Sequence, residues 1–134
     1  MFFDNASRQS CTVKTSLTNT PLHALQTLNN VTYVESARVL AQAVLKSDAG
    51  DDQSRIDFVL QRVLARNATD AERDVLLRGL KRTGNQFANK KSDALKLLSV
   101  GESPRDESLD QVQHASWASL CLAVLNLDET LNRE

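Results

Sequence analysis

Apolar residues recur at every third or fourth position along most of the chain, which is the spacing of one face of an amphipathic helix. The pattern is clearest in residues 34–45, 56–64 and 75–80, and no β-strand alternation continues beyond a few residues. The last apolar segment, 112–125, is apolar on nearly all sides, so we expect this helix to pass through the middle of a bundle. The sequence therefore predicts an all-α fold, a compact bundle of about five to six helices with a buried C-terminal helix.

Polar residues suited to begin a helix precede most of these segments. An N-cap side chain accepts a hydrogen bond from a free N–H of the first turn, and a Glu or Gln three residues later can return one. Thr20 before Pro21 predicts one start, because proline is tolerated at the first helical position. Asp52 or Ser54 is expected to cap another helix. Capping boxes or similar starts are predicted at Thr32 with Glu35, Thr69 with Glu72, and Asp110 with Gln113.

Glycines predict two helix ends. The pair Gly84-Asn85 is expected to weaken or end the helix that contains residues 75–80. A shorter helix around Asp93–Ser99 is expected to stop at Gly101, because glycine is the usual residue just past a helix C-terminus. The following stretch, GESPRDESLD, is the longest irregular segment of the chain. Loops on a rigid scaffold often carry functional residues, so this segment is a candidate.

Composition and charge exclude two classes of partner. The chain has 134 residues, enough for a domain with a real core, and 41% of them are apolar. With 16 basic and 17 acidic residues the net charge is −1, so no basic surplus is present to neutralise nucleic acid. No apolar run approaches the roughly 20 residues of a spanning helix, so we expect no membrane insertion. Phe2 and Phe3 look like an internal stretch of a longer sequence with a start methionine placed before it. We therefore interpret residues 1–134 as a single helical domain, an excised C-terminal piece of a larger multidomain protein.

Four side chains are possible soft-metal ligands: Cys11, His23, His114 and Cys121. None is spaced as C-x-x-C or H-x-x-x-H, and no C-x-x-C-H haem attachment occurs, so no metal or cofactor is predicted in this chain. Cys11 and a histidine would make a catalytic pair only if the fold brings them together, and we favour a structural thiol and two surface imidazoles. Cys11 and Cys121 could pair in a secreted protein or remain buried thiols in a cytosolic one.

Most of the 17 carboxylates lie at caps or in the first turns of helices, where the helix dipole favours them. Glu35 and Glu72 are expected to serve in capping boxes. Glu102, Asp106 and Glu107 lie in the irregular loop and are not committed to a helix start. A solvated acidic loop is the default interpretation of these three residues.

Four stretches occur in order that together resemble a known family: FDNASRQSCTVKTSLTNTPLHALQTLNN, ESARVLA, VGESPRDESLD and LAVLNLDETLNRE. The chain resembles, from about Phe3 to Glu134, the C-terminal part of a planctomycete domain of unknown function. That domain is found in large exported proteins with a planctomycete cytochrome-c-like haem domain. His23 departs from the family, which tends to have glutamine there. The motif residues carried over are Arg8, Cys11, Thr12, Asn19, Thr20, Glu102, Ser103, Asn126, Asp128 and Glu129.

The resemblance implies a setting and no established activity. It implies an exported parent protein and hence an extracytoplasmic location, periplasmic or secreted. It also implies that haem is bound by another domain of the parent, and that the partners of this chain are the other domains. It names no small-molecule ligand.

Two hypotheses about function follow. In the first, the chain is a non-catalytic structural or interaction module of the parent protein, and its polar motifs are caps and hydrogen-bonded joints. In the second, it contributes one wall of an enzyme active site that missing domains complete. Arg8 would then bind an anionic group, Glu102 or Asp128 would act as the acid–base partner, and the substrate would be an extracellular carbohydrate.

Overall fold

The computed structural model describes residues 30–127, and within this range all regular structure is helical. This confirms the predicted all-α class. Three helices come first along the chain, a short fourth helix ends just before Gly101, and the fifth helix follows the loop that contains Gly101. Their bounds are Val31–Lys46 (α1), Asp52–Leu64 (α2), Asp70–Asn89 (α3), Lys91–Leu98 (α4) and Gln111–Leu125 (α5).

Four of the five helices begin at a capping side chain. At α3 the predicted capping box is confirmed, since Thr69 and Glu72 exchange side-chain and backbone hydrogen bonds. At α5 the carboxylate of Asp110 accepts from the Gln113 N–H at 2.9 Å, as predicted. The caps predicted for α1 and α2 were wrong, and the helix start predicted at Thr20 lies outside the described residues. Asn30, rather than Thr32, caps α1, and Asp51, rather than a residue inside the helix, caps α2.

The predicted break at Gly84-Asn85 was wrong, because α3 runs through both residues to Asn89. Leu80 before the glycine and Phe87 after it both pack in the core. Burial on both sides outweighs the helix propensity that a single glycine loses, about 1 kcal/mol relative to alanine. The short helix predicted around Asp93–Ser99 is present as α4, which ends at Leu98, three positions before Gly101.

Helix α5 is the centre of the fold and packs against all four other helices. Trp117 in its middle is almost completely buried, and so are Cys121 and Val124 one and two turns further on. This confirms the predicted buried C-terminal helix. Burying the large indole supplies much of the apolar contact that holds the helices together. Among the described residues, none of the helices is long and apolar enough to cross a membrane.

Candidate functional site: a buried arginine joint between helix and loop

Three of the ten family-motif residues, Glu102, Ser103 and Asn126, lie in the part of the chain that the structure describes. Asn126 is the C-cap residue of α5, with its N–H directed to the last carbonyls of that helix. Glu102 and Ser103 lie in the loop between α4 and α5. The other motif residues lie outside the described residues: Arg8, Cys11, Thr12, Asn19, Thr20, Asp128 and Glu129.

Arg38 is the least expected residue of the fold. It lies in the middle of α1 and is only 1% exposed. Its Nε donates to the carbonyl of Val100 at 3.1 Å, and its Nη2 donates to the carbonyl of Ser103 at 2.6 Å. A buried guanidinium is tolerated where hydrogen bonds replace those that it loses to water. Here both acceptors belong to the loop, so Arg38 fixes the loop backbone to α1.

Glu35, one turn before Arg38, holds the same loop from its N–H side. Its Oε1 accepts hydrogen bonds from the N–H of Glu102 at 3.1 Å and from the N–H of Ser103 at 2.6 Å. The hydrogen bonds from Ser103 are the main cause that lowers the pKa of Glu35 below its usual value. The expectation that Glu35 completes a capping box with Thr32 was therefore wrong. The carboxylate serves a segment that is far away in the sequence.

Gly101 lets the loop reach Glu35. Its φ is +90°, a backbone conformation that residues with a side chain rarely adopt. A Cβ placed on Gly101 would lie 2.6 Å from Cγ of Glu35, which is well inside contact distance. Glycine is thus required here both by its backbone conformation and by the close approach of the carboxylate.

His114 extends the arrangement from α1 to α5. Its Nε2 lies 3.1 Å from the backbone carbonyl of Arg38, and the imidazole is fully buried. Because a carbonyl can only accept, Nε2 carries the proton and donates it. Nδ1 is buried and has no hydrogen-bond partner within residues 30–127. Burial lowers the pKa of His114, so the ring is neutral near pH 7. The expectation of a surface imidazole at this position was wrong. We call the set Glu35, Arg38, Gly101, Ser103 and His114 the Arg38 joint.

The second half of the loop is held by the next two turns of α1. The side-chain oxygen of Gln42 accepts from the N–H of Asp106 at 3.1 Å, and Lys46 forms an ion pair with the Asp106 carboxylate. Ser108 also donates its N–H and its hydroxyl to that carboxylate. The bond from Lys46 is the main cause that lowers the pKa of Asp106 far below its usual range. The interpretation of Asp106 as an uncommitted loop carboxylate was therefore wrong.

A second polar cluster joins α2 to α3. The carboxylate of Asp57 faces the guanidinium of Arg73 at 3.0–3.2 Å and also accepts from the Ala68 N–H at 3.0 Å. Arg66 binds both carboxylate oxygens of Glu72 at 2.8 and 2.9 Å. This pair, followed by the hydrogen bond from Thr69, lowers the pKa of Glu72 to about 2. We call the four charged residues Asp57, Arg66, Glu72 and Arg73 the α2–α3 junction, and all four side chains remain partly exposed.

The charged groups of the Arg38 joint already form hydrogen bonds within the protein, and this limits the chemistry that they can perform. Glu35 and Arg38 direct their polar atoms at backbone groups. Burial raises the pKa of the Cys121 thiol to about 12, so this free cysteine stays protonated and unreactive. No group of three His, Cys, Asp or Glu side chains suited to a metal ion is found among residues 30–127. The Glu102 side chain is exposed beside the joint. The hypothesis that Glu102 or Asp128 acts as the acid–base partner, with Arg8 binding the anionic group, stays a prediction, because Arg8 and Asp128 lie outside the described residues.

Together the fold and the joint define an all-helical domain in which buried polar side chains tie a long loop to one helix. A family model described as PSD1: Protein of unknown function (DUF1553) matches residues 1–80, more than half of the chain. The chain therefore belongs to this family. The match includes Glu35 and Arg38 of the joint, whereas the loop and α5 follow the matched range. No curated protein and no solved structure matches the chain.

Proposed function

We propose that this chain is a non-catalytic structural or interaction module of a larger exported protein that carries its haem on another domain. The module would lie in the periplasm or outside the cell and would contact the other domains of its parent. This proposal goes beyond the family assignment, which by itself names no activity.

The observation that carries the proposal is the way Arg38 is used. Burying a guanidinium costs free energy. For Arg38 this cost is offset by two hydrogen bonds to loop carbonyls 62 and 65 residues away. The use of a buried arginine to hold the loop supports a functional role for the shape of the loop. A loop held rigid before binding loses less conformational entropy when a partner docks on it.

The exposed positions of the held loop are consistent with a contact surface. Glu102, Pro104, Glu107 and Ser108 face solvent, while the backbone between them is fixed by α1. Loops positioned by a rigid scaffold are frequent binding elements. The other domains of the parent would supply the complementary surface.

An association measurement tests the proposal. The 134-residue chain and the remainder of the parent protein would be produced separately and titrated in a calorimeter. We expect a one-to-one complex, and we expect Arg38→Met to weaken it at least tenfold while circular dichroism keeps the helical signal. Arg73→Met removes a partly exposed arginine that pairs with Asp57 of the α2–α3 junction, and it is the matched control. Absence of a complex with the unaltered chain, or equal affinity of the Arg38→Met variant, would contradict the proposal.

The enzyme-wall hypothesis makes an opposite prediction for Glu102. If Glu102 acts as an acid–base group, Glu102→Gln in the full-length parent lowers kcat by a factor of about 100 or more on any glycoside that the parent cleaves. Our proposal expects unchanged kcat for this variant. A large loss of kcat with unchanged association would replace the proposed function by the enzymatic one.

A further inference from the structure

Two buried polar atoms near the Arg38 joint have no hydrogen-bond partner among residues 30–127. One is Nδ1 of His114 on α5, and the other is Nη1 of Arg105 in the loop. Buried polar groups in folded proteins nearly always form hydrogen bonds, so two unpartnered atoms in one region require a physical explanation. The two atoms are complementary. With its proton on Nε2, the neutral imidazole offers Nδ1 as an acceptor, whereas a guanidinium nitrogen can only donate.

The charges that act on His114 come from α1 and from the loop. Burial is the main cause that lowers the pKa of His114, and the charges of Arg38 and Arg105 lower it further, whereas the carboxylate of Asp106 raises it. Arg105 and Asp106 therefore lie near the ring. On α3 and α4, the side chains that pack around the neighbouring residue Ala115 are apolar, namely Phe87, Ala94, Leu97 and Leu98.

Protonation of His114 ends this complementarity. Nδ1 then carries a hydrogen, so both ring nitrogens donate, and no acceptor remains for the buried donor of Arg105. A buried cation also costs more free energy when it lies beside two other cations, which here are Arg38 and Arg105. On α5 itself, the carboxylate of Asp110 caps the helix by accepting from the N–H of Gln113. The protonated ring and the buried guanidinium of Arg105 are therefore incompatible in this arrangement.

Arg105 is the group that can move at the lowest cost in free energy. Arg38 is 1% exposed and would lose two hydrogen bonds to the loop. Asp106 attracts a protonated ring, and it is held in place by Lys46 and Ser108. Arg105, in contrast, is half-buried and forms no hydrogen bond or ion pair within residues 30–127. Rotation about its own side-chain bonds brings its guanidinium into water without a change in the loop backbone.

We propose that His114 and Arg105 form a proton-controlled switch on the loop. While the imidazole is neutral, the guanidinium of Arg105 stays packed beside it. When Nδ1 takes up a proton from water, the Arg105 side chain turns out into solvent, and the loop backbone stays bound to Arg38. The two unpartnered atoms are thus the two parts of one switch, which histidine suits because its charge changes near physiological pH.

The switch changes the charge that the loop presents to a partner. The exposed side chains of Glu102 and Glu107 lie on either side of Arg105 in the sequence, so an outward Arg105 adds a positive charge between two carboxylates. A partner that binds these carboxylates through basic groups should bind more weakly in acid. This consequence rests on the proposed interaction role of the loop. The switch itself is tested on the chain alone, so its failure and the failure of the proposed association are separate outcomes.

Titration of the His114 ring by NMR in the full 134-residue chain tests the contact between the two residues. The chain has two histidines, and His114→Gln identifies the signal of His114. We expect Arg105→Gln to raise the pKa of His114, because the variant removes a neighbouring positive charge. Arg105→Lys keeps the charge and should leave the pKa low. Arg82→Gln removes an exposed arginine of α3 and is the matched control, with no expected change. An unchanged pKa in Arg105→Gln would overturn the inference.

Hydrogen exchange of arginine side chains tests the movement. In the chain labelled with ¹⁵N-arginine, the exchange rate of the Arg105 guanidinium is divided by that of exposed Arg82, which cancels the intrinsic effect of pH. We expect this ratio to rise at least tenfold as pH falls through the His114 midpoint, and to stay constant in His114→Gln. A constant ratio in the unaltered chain while His114 becomes protonated would overturn the inference. If Arg105→Gln does not fold, the exchange of the unaltered chain decides alone.

Discussion

The Arg38 joint and the α2–α3 junction use the same residue types under opposite conditions. In the joint a fully buried arginine bonds to backbone carbonyls of a distant loop, whereas in the junction Arg66 and Arg73 bond to carboxylates of partly exposed partners. The junction has the larger number of charged pairs. Yet solvent screens each of them, and exposed pairs contribute about 1 kcal/mol or less. We therefore expect burial, rather than the number of charges, to decide which of the two regions contributes more to the free energy of unfolding.

The largest effect is expected for Arg38→Met. Methionine fills much of the same space but leaves the partly buried carbonyls of Val100 and Ser103 without the donors that Arg38 supplies. An unsatisfied buried polar group costs about 1–3 kcal/mol, so we expect the free energy of unfolding to fall by about 3 kcal/mol. Urea denaturation measures it. A loss below about 1 kcal/mol would mean that Arg38 is no more important than the exposed arginines of the junction.

Gly101→Ala should have the second largest effect. The positive φ costs a residue with a side chain about 1–2 kcal/mol, and the new methyl group meets the Glu35 side chain. Combining Gly101→Ala with Glu35→Ala removes the collision and leaves the backbone cost. A double-mutant cycle by chemical denaturation therefore separates the two contributions. Additive effects would show that Glu35 does not approach Gly101 in solution.

The pH dependence distinguishes the two regions. Burial lowers the pKa of His114 below its usual 6.5, so the unfolded chain takes up a proton before the folded one does. The stability that the neutral ring contributes is fully present above pH 6.5. As pH falls below 6.5, the free energy of unfolding decreases, by at most about 1.4 kcal/mol per pH unit. His114→Gln should flatten the stability curve between pH 7 and 5. An unchanged slope would place the imidazole in solvent.

Helix positions were predictable because they depend on local chemistry. The Thr69–Glu72 box and the Asp110 cap lie within four residues, and the apolar run around Trp117 has no alternative to burial. The joint was not predicted, because Glu35 and Arg38 find their partners more than 60 residues later. One signal was present: Glu35, Arg38, Gln42 and Lys46 follow the 3-4 spacing and form a polar stripe along α1. Helix spacing alone could not say that Gly101 would lie against it.

Glu72→Gln should have the smallest effect, and it tests the junction alone. The amide oxygen of glutamine can still accept the hydrogen bond from the Thr69 N–H in a capping box, so the change removes mainly the charge that faces Arg66. The Glu72 side chain is 37% exposed, and solvent screening reduces the expected loss at pH 7 to less than about 1 kcal/mol. The lowered pKa means that the carboxylate stabilises the fold above about pH 4.5, and that this contribution disappears as pH falls towards 2.

The difference between the unaltered chain and Glu72→Gln should therefore vanish near pH 2 and shrink in high salt. Neither condition should remove the much larger loss caused by Arg38→Met, because Arg38 bonds to backbone carbonyls, which carry no charge that acid or salt could remove or screen. If 1 M salt reduced the Arg38→Met effect as strongly as that of Glu72→Gln, the guanidinium would be in contact with water. The joint would then be a surface ion pair like those of the junction, and burial would not explain the contrast between the two regions.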